Sequence, residues 1–76
     1  MEFFCIGDED TVRGFRLAGV EGLVVKNAGG AAAALAAAVS RPDCGVILIT
    51  SAAAGLALPQ LEELRLERAR PLVVEI

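Results

Sequence analysis

The 76-residue sequence contains no histidine, no tryptophan and no tyrosine, and its single lysine is Lys26. The lack of histidine removes the commonest general base and the commonest metal ligand in proteins. Ten acidic residues against seven basic ones give a net charge of −3, so the sequence also lacks the clustered positive charge on which nucleic-acid affinity rests. We therefore expect no nucleic-acid partner, and any catalysis would depend on carboxylates, hydroxyls or thiols.

Long apolar runs are also missing, since no segment approaches the ~20 residues that cross a bilayer. The start, Met-Glu-Phe-Phe, is not typical of a signal peptide. We therefore expect a cytoplasmic chain with no direct membrane insertion. Aromatic residues make up only 4% of a sequence that is 55% hydrophobic, which predicts a core of small aliphatic side chains. A chain of this length forms one domain.

The two cysteines fall near the end of one predicted strand and at the start of another, at Cys5 and Cys44. In neighbouring parallel strands this offset separates them by several residues, which is too far for a disulfide. We interpret both as small apolar side chains of the core rather than as redox or metal-binding groups.

Four apolar segments predict strands, and the segments between them predict helices. The strands are expected at 2–6, 22–26, 44–50 and 72–76, and the helices at about 11–19, 27–40 and 59–68. Gly55 and Pro59 predict a weak turn or loop before the third helix. Alternating strands and helices favour a parallel sheet with right-handed connections. We expect a small three-layer Rossmann/flavodoxin-like α/β domain with strand order 2-1-3-4, the first helix on one face and the others on the opposite face.

Polar residues mark where each predicted helix begins. The candidates are Asp8 or Asp10 for the first helix, Asn27 for the second and Ser51 for the third. Gly19 is expected to end the first helix in a left-handed conformation. In the third helix the expected buried stripe is Leu58, Leu61 and Leu64.

The expected ligand-binding edge of the sheet, at the carboxyl ends of the strands, offers little chemistry. The sequence has no glycine-rich phosphate motif, and the acids at 8–10 would repel a phosphate. Thr50 stands where a phosphoacceptor receiver domain needs an aspartate. Asp8 and Asp10 are interpreted as helix-capping and solvated acids rather than as a Mg²⁺ site. Nothing activates Ser51, so we expect no enzyme, no cofactor and no metal site.

Partner binding is the better prediction, because several large apolar residues lie away from the expected buried faces. Leu17, beside Arg13 and near Arg16, is off the buried stripe of the first helix, and Leu66 is off that of the third. The fourth strand is an expected sheet edge with Leu72, Val73 and Val74 exposed, and open edges pair with other chains. We predict self-association through strand 4 or the neighbouring face of the third helix, and a partner-binding role for Arg13, Arg16, Leu17, Leu66 and Val73.

A longer pattern resembles a known family. The run Ile-Gly-Asp-Glu-Asp-Thr-Val-Arg-Gly-Phe-Arg-Leu-Ala-Gly-Val at 6–20 is similar to the N-terminal signature of the F subunits of the V-type/A-type rotary ATPases. The stretches at 45–50 and 71–76 fit the same family, in the expected order. The family's motif falls on Gly7, Asp8, Asp10, Thr11, Gly14, Phe15, Arg16, Leu17, Ala18 and Gly19.

The resemblance implies a non-catalytic component of the central stalk, peripheral to a membrane complex. Its partners would be the coiled-coil D subunit of the rotor and other stalk subunits, and it would modulate the coupling of ATP turnover to ion transport. Two features depart from the family: Thr50 is followed by Ser51 and three alanines where the family usually has charged residues, and the sequence stops at Ile76, before the tail helix. The resemblance thus implies one domain of the F-subunit type at 1–76. The alternative is a free-standing flavodoxin-like interaction domain without an ATPase role.

Overall fold

The computed structural model describes residues 2–67 and 71–76. Within these ranges the chain forms the strands β1 (Glu2–Gly7), β2 (Glu21–Val24), β3 (Cys44–Ile49) and β4 (Leu72–Glu75), and the helices α1 (Glu9–Leu17), α2 (Ala28–Val39), α3 (Ser51–Leu56) and α4 (Leu58–Glu67). All three strand pairings are parallel, and the order is β2-β1-β3-β4. The α/β fold and the strand order expected from the sequence are confirmed.

The two faces of the sheet are covered unequally. Side chains alternate along a strand, so every second residue of β1 and β3 points to the face that carries α2, α3 and α4. The core on that face is built from Phe4, Ile6, Ala34, Leu35, Ala38, Ile47, Ile49, Ala53, Ala54, Leu61 and Leu64. On the other face, Val12 of α1 packs over Gly22 and Cys5. Alanines let α2 and α3 lie close to the sheet.

The start of α1 is set by Asp8. Its Oδ2 accepts a hydrogen bond from the Thr11 N–H at 3.1 Å, and its Oδ1 accepts one from the Thr11 hydroxyl at 2.7 Å. The sequence pattern allows either Asp8 or Asp10 as the cap, and Asp8 takes this role because α1 begins at Glu9 and Asp10 already lies in its first turn. Asn27 caps α2 as expected, with its Oδ1 accepting from the Gly30 N–H at 2.7 Å.

The segment after β3 is a helix rather than the expected weak turn or loop. Ala53 and Ala54 are buried in the core, and the gain from this packing exceeds the cost of Gly55 near the end of α3. The expected cap, Ser51, is wrong, because the Oγ1 of Thr50 accepts from the Ala53 N–H at 3.2 Å. Ser51 instead donates both its N–H, at 3.1 Å, and its hydroxyl, at 3.3 Å, to the carbonyl oxygen of Ile76.

Helix α4 begins at Leu58 and carries a narrower buried stripe than expected. Leu61 and Leu64 are buried, but Leu58 is 49% exposed. A step of three residues turns an α-helix by about 300°, so a run of such steps drifts around the helix and Leu58 leaves the buried face. The expected end of this helix at about Arg68 lies outside the described residues.

Both cysteines are free, with Cys5 buried and Cys44 half-buried. Cys5 is level with Leu48 of β3, four residues beyond Cys44, so the offset expected from the sequence is present. Burial raises the pKa of both thiols above their ordinary value. Neither position favours a reactive thiolate.

Candidate functional site

Helix α1 covers only part of its face of the sheet. It follows β1 and leads into β2, so it packs over those two strands. No second helix of residues 2–67 and 71–76 lies on this face, since α2, α3 and α4 share the other one. The same face is therefore uncovered where β3 and β4 run.

Two rows of register-paired side chains cross this uncovered part of the sheet. One row is Phe3, Val46 and Leu72, and the next is Cys5, Leu48 and Val74. Phe3 is 46% exposed, Leu72 is 59% exposed and Val74 is 39% exposed. We call Phe3, Leu48, Leu72 and Val74 the open strip. Cys5 and Val46 of the same two rows are buried, so the open strip is the exposed apolar part of these rows.

The open strip is bounded by the free edge of β4 on one side and by α1 on the other. Arg16 of α1 leans toward β2, where its Nη2 donates to the carbonyl oxygen of Gly22 at 3.5 Å. On a helical wheel the half-buried Phe15 lies on the other side of Val12, so it borders the open strip together with Thr11 and Ala18. These three side chains carry no charge.

The dimensions of the open strip suit one helix. Two strands span about 10 Å across a sheet. An α-helix with its side chains is about 10–12 Å in diameter. A helix lying on the open strip would complete the second layer of this face beside α1.

The predicted site residues of α1 lie close together on its outer surface. The Nη2 of Arg13 pairs with Oε1 of Glu9, one turn away, at 3.1 Å. Both side chains are largely exposed, so this ion pair contributes little to stability. Leu17 is 87% exposed. Arg13, Arg16 and Leu17 are therefore on the same side of the sheet as the open strip.

The other two predicted site residues lie elsewhere. Leu66 is also 87% exposed, but it lies on α4, across the sheet from α1. Val73 is level with Ile47 and packs half-buried against the core on the α4 side. The expectation that Val73 is exposed is wrong, because strand alternation turns it inward and turns Leu72 and Val74 outward. The structure does not bring the five residues into one surface.

Sequence reasoning missed the open strip, although a signal for it was present. A strand as apolar as β1 is typical of strands that are covered on both faces, so its own sequence does not indicate that Phe3 is exposed. The topology indicates otherwise. Strand order 2-1-3-4 with right-handed connections sends only the first connection to the α1 face, and one helix is too narrow for four strands.

Polar side chains at the carboxyl edge of the sheet stabilise the starts of two helices. Asp8 and Thr50 use their side-chain oxygens to cap α1 and α3. Within 2–67 and 71–76 no three His, Cys, Asp or Glu side chains are placed to share a metal ion. No helix in these ranges has the length and apolar character needed to cross a membrane.

These features define a small doubly wound α/β protein with exposed apolar side chains on one face of its sheet. A comparison with protein families matches residues 4–76 to the family described as ATP synthase (F/14-kDa) subunit. The chain belongs to this family, as its sequence pattern predicts.

A solved structure shares the fold of this chain. The F subunit of the V-type ATP synthase from Archaeoglobus fulgidus superposes with a TM-score of 0.82, and the match covers 99% of this chain and 95% of that chain at 23% identity. The agreement confirms the fold expected from the sequence. A search of curated proteins gives no significant match.

Proposed function

We propose that this chain is a non-catalytic component of the central stalk of a V/A-type rotary ATPase. In this role it binds the coiled-coil D subunit of the rotor, contacts other stalk subunits and modulates the coupling of ATP turnover to ion transport. It acts in the cytoplasm, peripheral to the membrane complex. The observation that carries the proposal is the family match over residues 4–76.

The open strip is the surface that we assign to the D subunit. Each helix of a coiled coil carries an apolar stripe along its length, and the open strip is an apolar surface about as wide as one helix. Removing Phe3, Leu72 and Val74 from water would stabilise the complex by about 25 cal/mol for each Å² of apolar area buried.

The second helix of the coiled coil would lie over the outer surface of α1. Packed helices are about 8–10 Å apart, so a partner helix on the open strip brings its companion within reach of Leu17. Arg13 lies beside Leu17 and can contact acidic residues of that second helix, whereas Arg16 is directed toward β2 and would contact only the margin of this interface. Leu66, on the far side of the sheet, is outside this interface.

Three exposed leucines test which surface binds. Leu72→Glu, Leu17→Glu and Leu66→Glu make the same chemical change on the open strip, α1 and α4. Titration calorimetry with the purified D subunit should show at least a tenfold loss of affinity for Leu72→Glu, a smaller loss for Leu17→Glu and no loss for Leu66→Glu. A loss confined to Leu66→Glu would place the interface on α4. Absence of binding by the unchanged chain would refute the assignment of the D subunit as partner.

The non-catalytic role has its own test. Calorimetry with Mg-ATP should detect no heat of binding by the isolated chain, because the acids at 8–10 disfavour phosphate. A dissociation constant in the micromolar range would contradict this part of the proposal while leaving the contact with the D subunit unaffected.

A further inference from the structure

A groove runs between α2 and α4, on the face of the sheet opposite the open strip. Its volume is about 430 Å³. This lies within the range of cavities that bind ligands in proteins. The buried side chains of Leu35 and Leu64 form its floor, and the half-buried Val39 extends the floor along α2. The groove is therefore apolar at the bottom and open to solvent at the top.

The two walls of the groove differ in charge. The α2 wall is mainly alanine, and the sequence has no charged residue between Lys26 and Arg41. The α4 wall presents the exposed carboxylates of Glu63 and Glu67, which are one helical turn apart. Like charges at this spacing repel each other, so their placement does not help the helix to form. A cation between them would relieve that repulsion.

The charges of α4 are separated by side. On a helical wheel Glu63 and Glu67 lie together on the α2 flank of Leu64, whereas Glu62 and Arg65 lie on the opposite flank. Arg65 is thus directed away from the groove. In the described part of α4, the flank that faces the groove carries negative charge alone.

We infer that this groove binds a basic amphipathic helix of a partner protein. Aliphatic side chains of that helix would enter the groove over Leu35 and Leu64, and its lysine or arginine side chains would pair with Glu63 and Glu67. The alanine wall lets a helix backbone approach closely, and the carboxylates select a basic segment over an acidic one. This inference goes beyond the proposed function, because the groove and the open strip lie on opposite faces and can be filled at the same time.

The test uses the full 76-residue chain and a synthetic amphipathic peptide with one leucine face flanked by lysines. Its twin carries glutamate in place of each lysine. In nitrogen-15 NMR spectra the lysine peptide should shift the amide signals of Ala36, Gln60, Glu63 and Glu67, and the glutamate twin should bind at least tenfold more weakly. Added salt should weaken binding of the lysine peptide.

Charge-removing variants identify the carboxylates that act. Glu63→Gln and Glu67→Gln should each weaken binding several-fold, and the double variant should weaken it about tenfold. Glu62→Gln removes the same charge from the other flank of α4 and should leave the affinity unchanged. Circular dichroism verifies that each variant is folded.

Four outcomes would overturn the inference. The first is equal affinity for the lysine and glutamate peptides, and the second is a loss of affinity from Glu62→Gln as large as that from Glu63→Gln. The third is a set of amide shifts centred on the open strip, and the fourth is a set of amide shifts that depends on protein concentration and not on peptide. The last would show that a second copy of this chain occupies the groove. Binding to the D subunit is measured separately, so failure here does not bear on the proposed function.

Discussion

The carboxylate of Asp8 caps the N-terminus of α1. Asp8 is exposed and receives hydrogen bonds from the hydroxyl and the N–H of Thr11, which hold its pKa below the ordinary value of 3.8. A group whose pKa is lower in the folded chain stabilises the fold above its unfolded pKa, and this contribution is lost as pH falls through the folded pKa. The benefit of Asp8 is therefore fully present at neutral pH.

Asp8→Ala should lower the melting temperature at pH 7, because the first turn of α1 loses its cap. Asp8→Asn should retain most of the cap but lose the favourable charge at the helix N-terminus. The difference between wild type and Asp8→Asn should disappear as pH falls through the folded pKa of Asp8, below 3.8. Thermal melts over a pH series measure both effects. Asp10→Ala is the control, and an equal loss from it would contradict the role of Asp8 as the cap.

The identity of a capping residue marks the limit of prediction at this scale. Asp8 and Asp10 have the same side chain, and Thr50 and Ser51 both carry a hydroxyl group. The cap depends on which residue is the first to adopt helical backbone angles, and sheet packing decides this to within one position. β3 ends at Ile49, one residue before its predicted end, and Thr50 rather than Ser51 therefore caps α3.

The contact between α1 and β2 depends on the absence of a side chain at Gly22. A Cβ atom there would lie 2.6 Å from the backbone oxygen of Cys5 and 3.2 Å from Cγ1 of Val12. Backbone cannot yield as the tip of a flexible side chain can, so α1 and β2 would have to move apart. At Gly14, in the middle of α1, no neighbouring atom of residues 2–67 and 71–76 comes within 4 Å of where a Cβ would be.

Gly22→Ala and Gly14→Ala should therefore change stability in opposite directions. Gly22→Ala should cost about 1–3 kcal/mol, as overpacking does. Gly14→Ala should stabilise the chain by roughly 0.5–1 kcal/mol, because alanine is the better helix former. Denaturant unfolding of both variants measures these free energies. A neutral Gly22→Ala would show that α1 does not lie this close to β2.

Helices and strands were predicted correctly where the residue pattern was strong. The predictions were wrong where tertiary packing opposed the local sequence signals. The consecutive apolar residues of β3 and the alanines of α2 indicated the correct elements. Gly55 wrongly suggested a loop, since the sequence alone does not show that Ala53 and Ala54 are buried. Val73 has the same apolar character as Val74, and only the register of β4 reveals which of them points inward.

The whole molecule combines a predictable topology with an unpredicted surface. Short connections and right-handed crossovers fixed the order β2-β1-β3-β4. The candidate site was harder to predict, because a binding surface is defined by what does not cover it. The exposure of Leu17 and Leu66 could be predicted from the pattern of their own helices. That Leu72 and Phe3 belong to one exposed surface depends instead on how far α1 extends across the sheet.

Self-association through β4 remains a prediction for the isolated chain. Within the described residues β4 pairs with β3 alone, and its outward side chains Leu72 and Val74 belong to the open strip. Light scattering over a concentration series should show association of the wild type. Leu72→Lys should shift it toward monomer, whereas Leu17→Lys on α1 should not. Val73→Lys is unsuitable, because Val73 packs against the core. A wild type that stays monomeric at high concentration would contradict the prediction.

The order of the strands also predicts which of them opens more often. In the part of the chain that the structure describes, β1 and β3 are each paired on both sides, whereas β2 and β4 are each paired on one. Amide hydrogens of β2 and β4 should therefore exchange with solvent through brief local openings, and those of β1 and β3 should wait for global unfolding. A partner seated on the open strip would slow exchange in β4 and leave β2 unchanged. Each local opening of β4 would remove Leu72 and Val74, half of the open strip, from contact with a bound helix. The lifetime of the complex would therefore depend on how rarely β4 separates from β3.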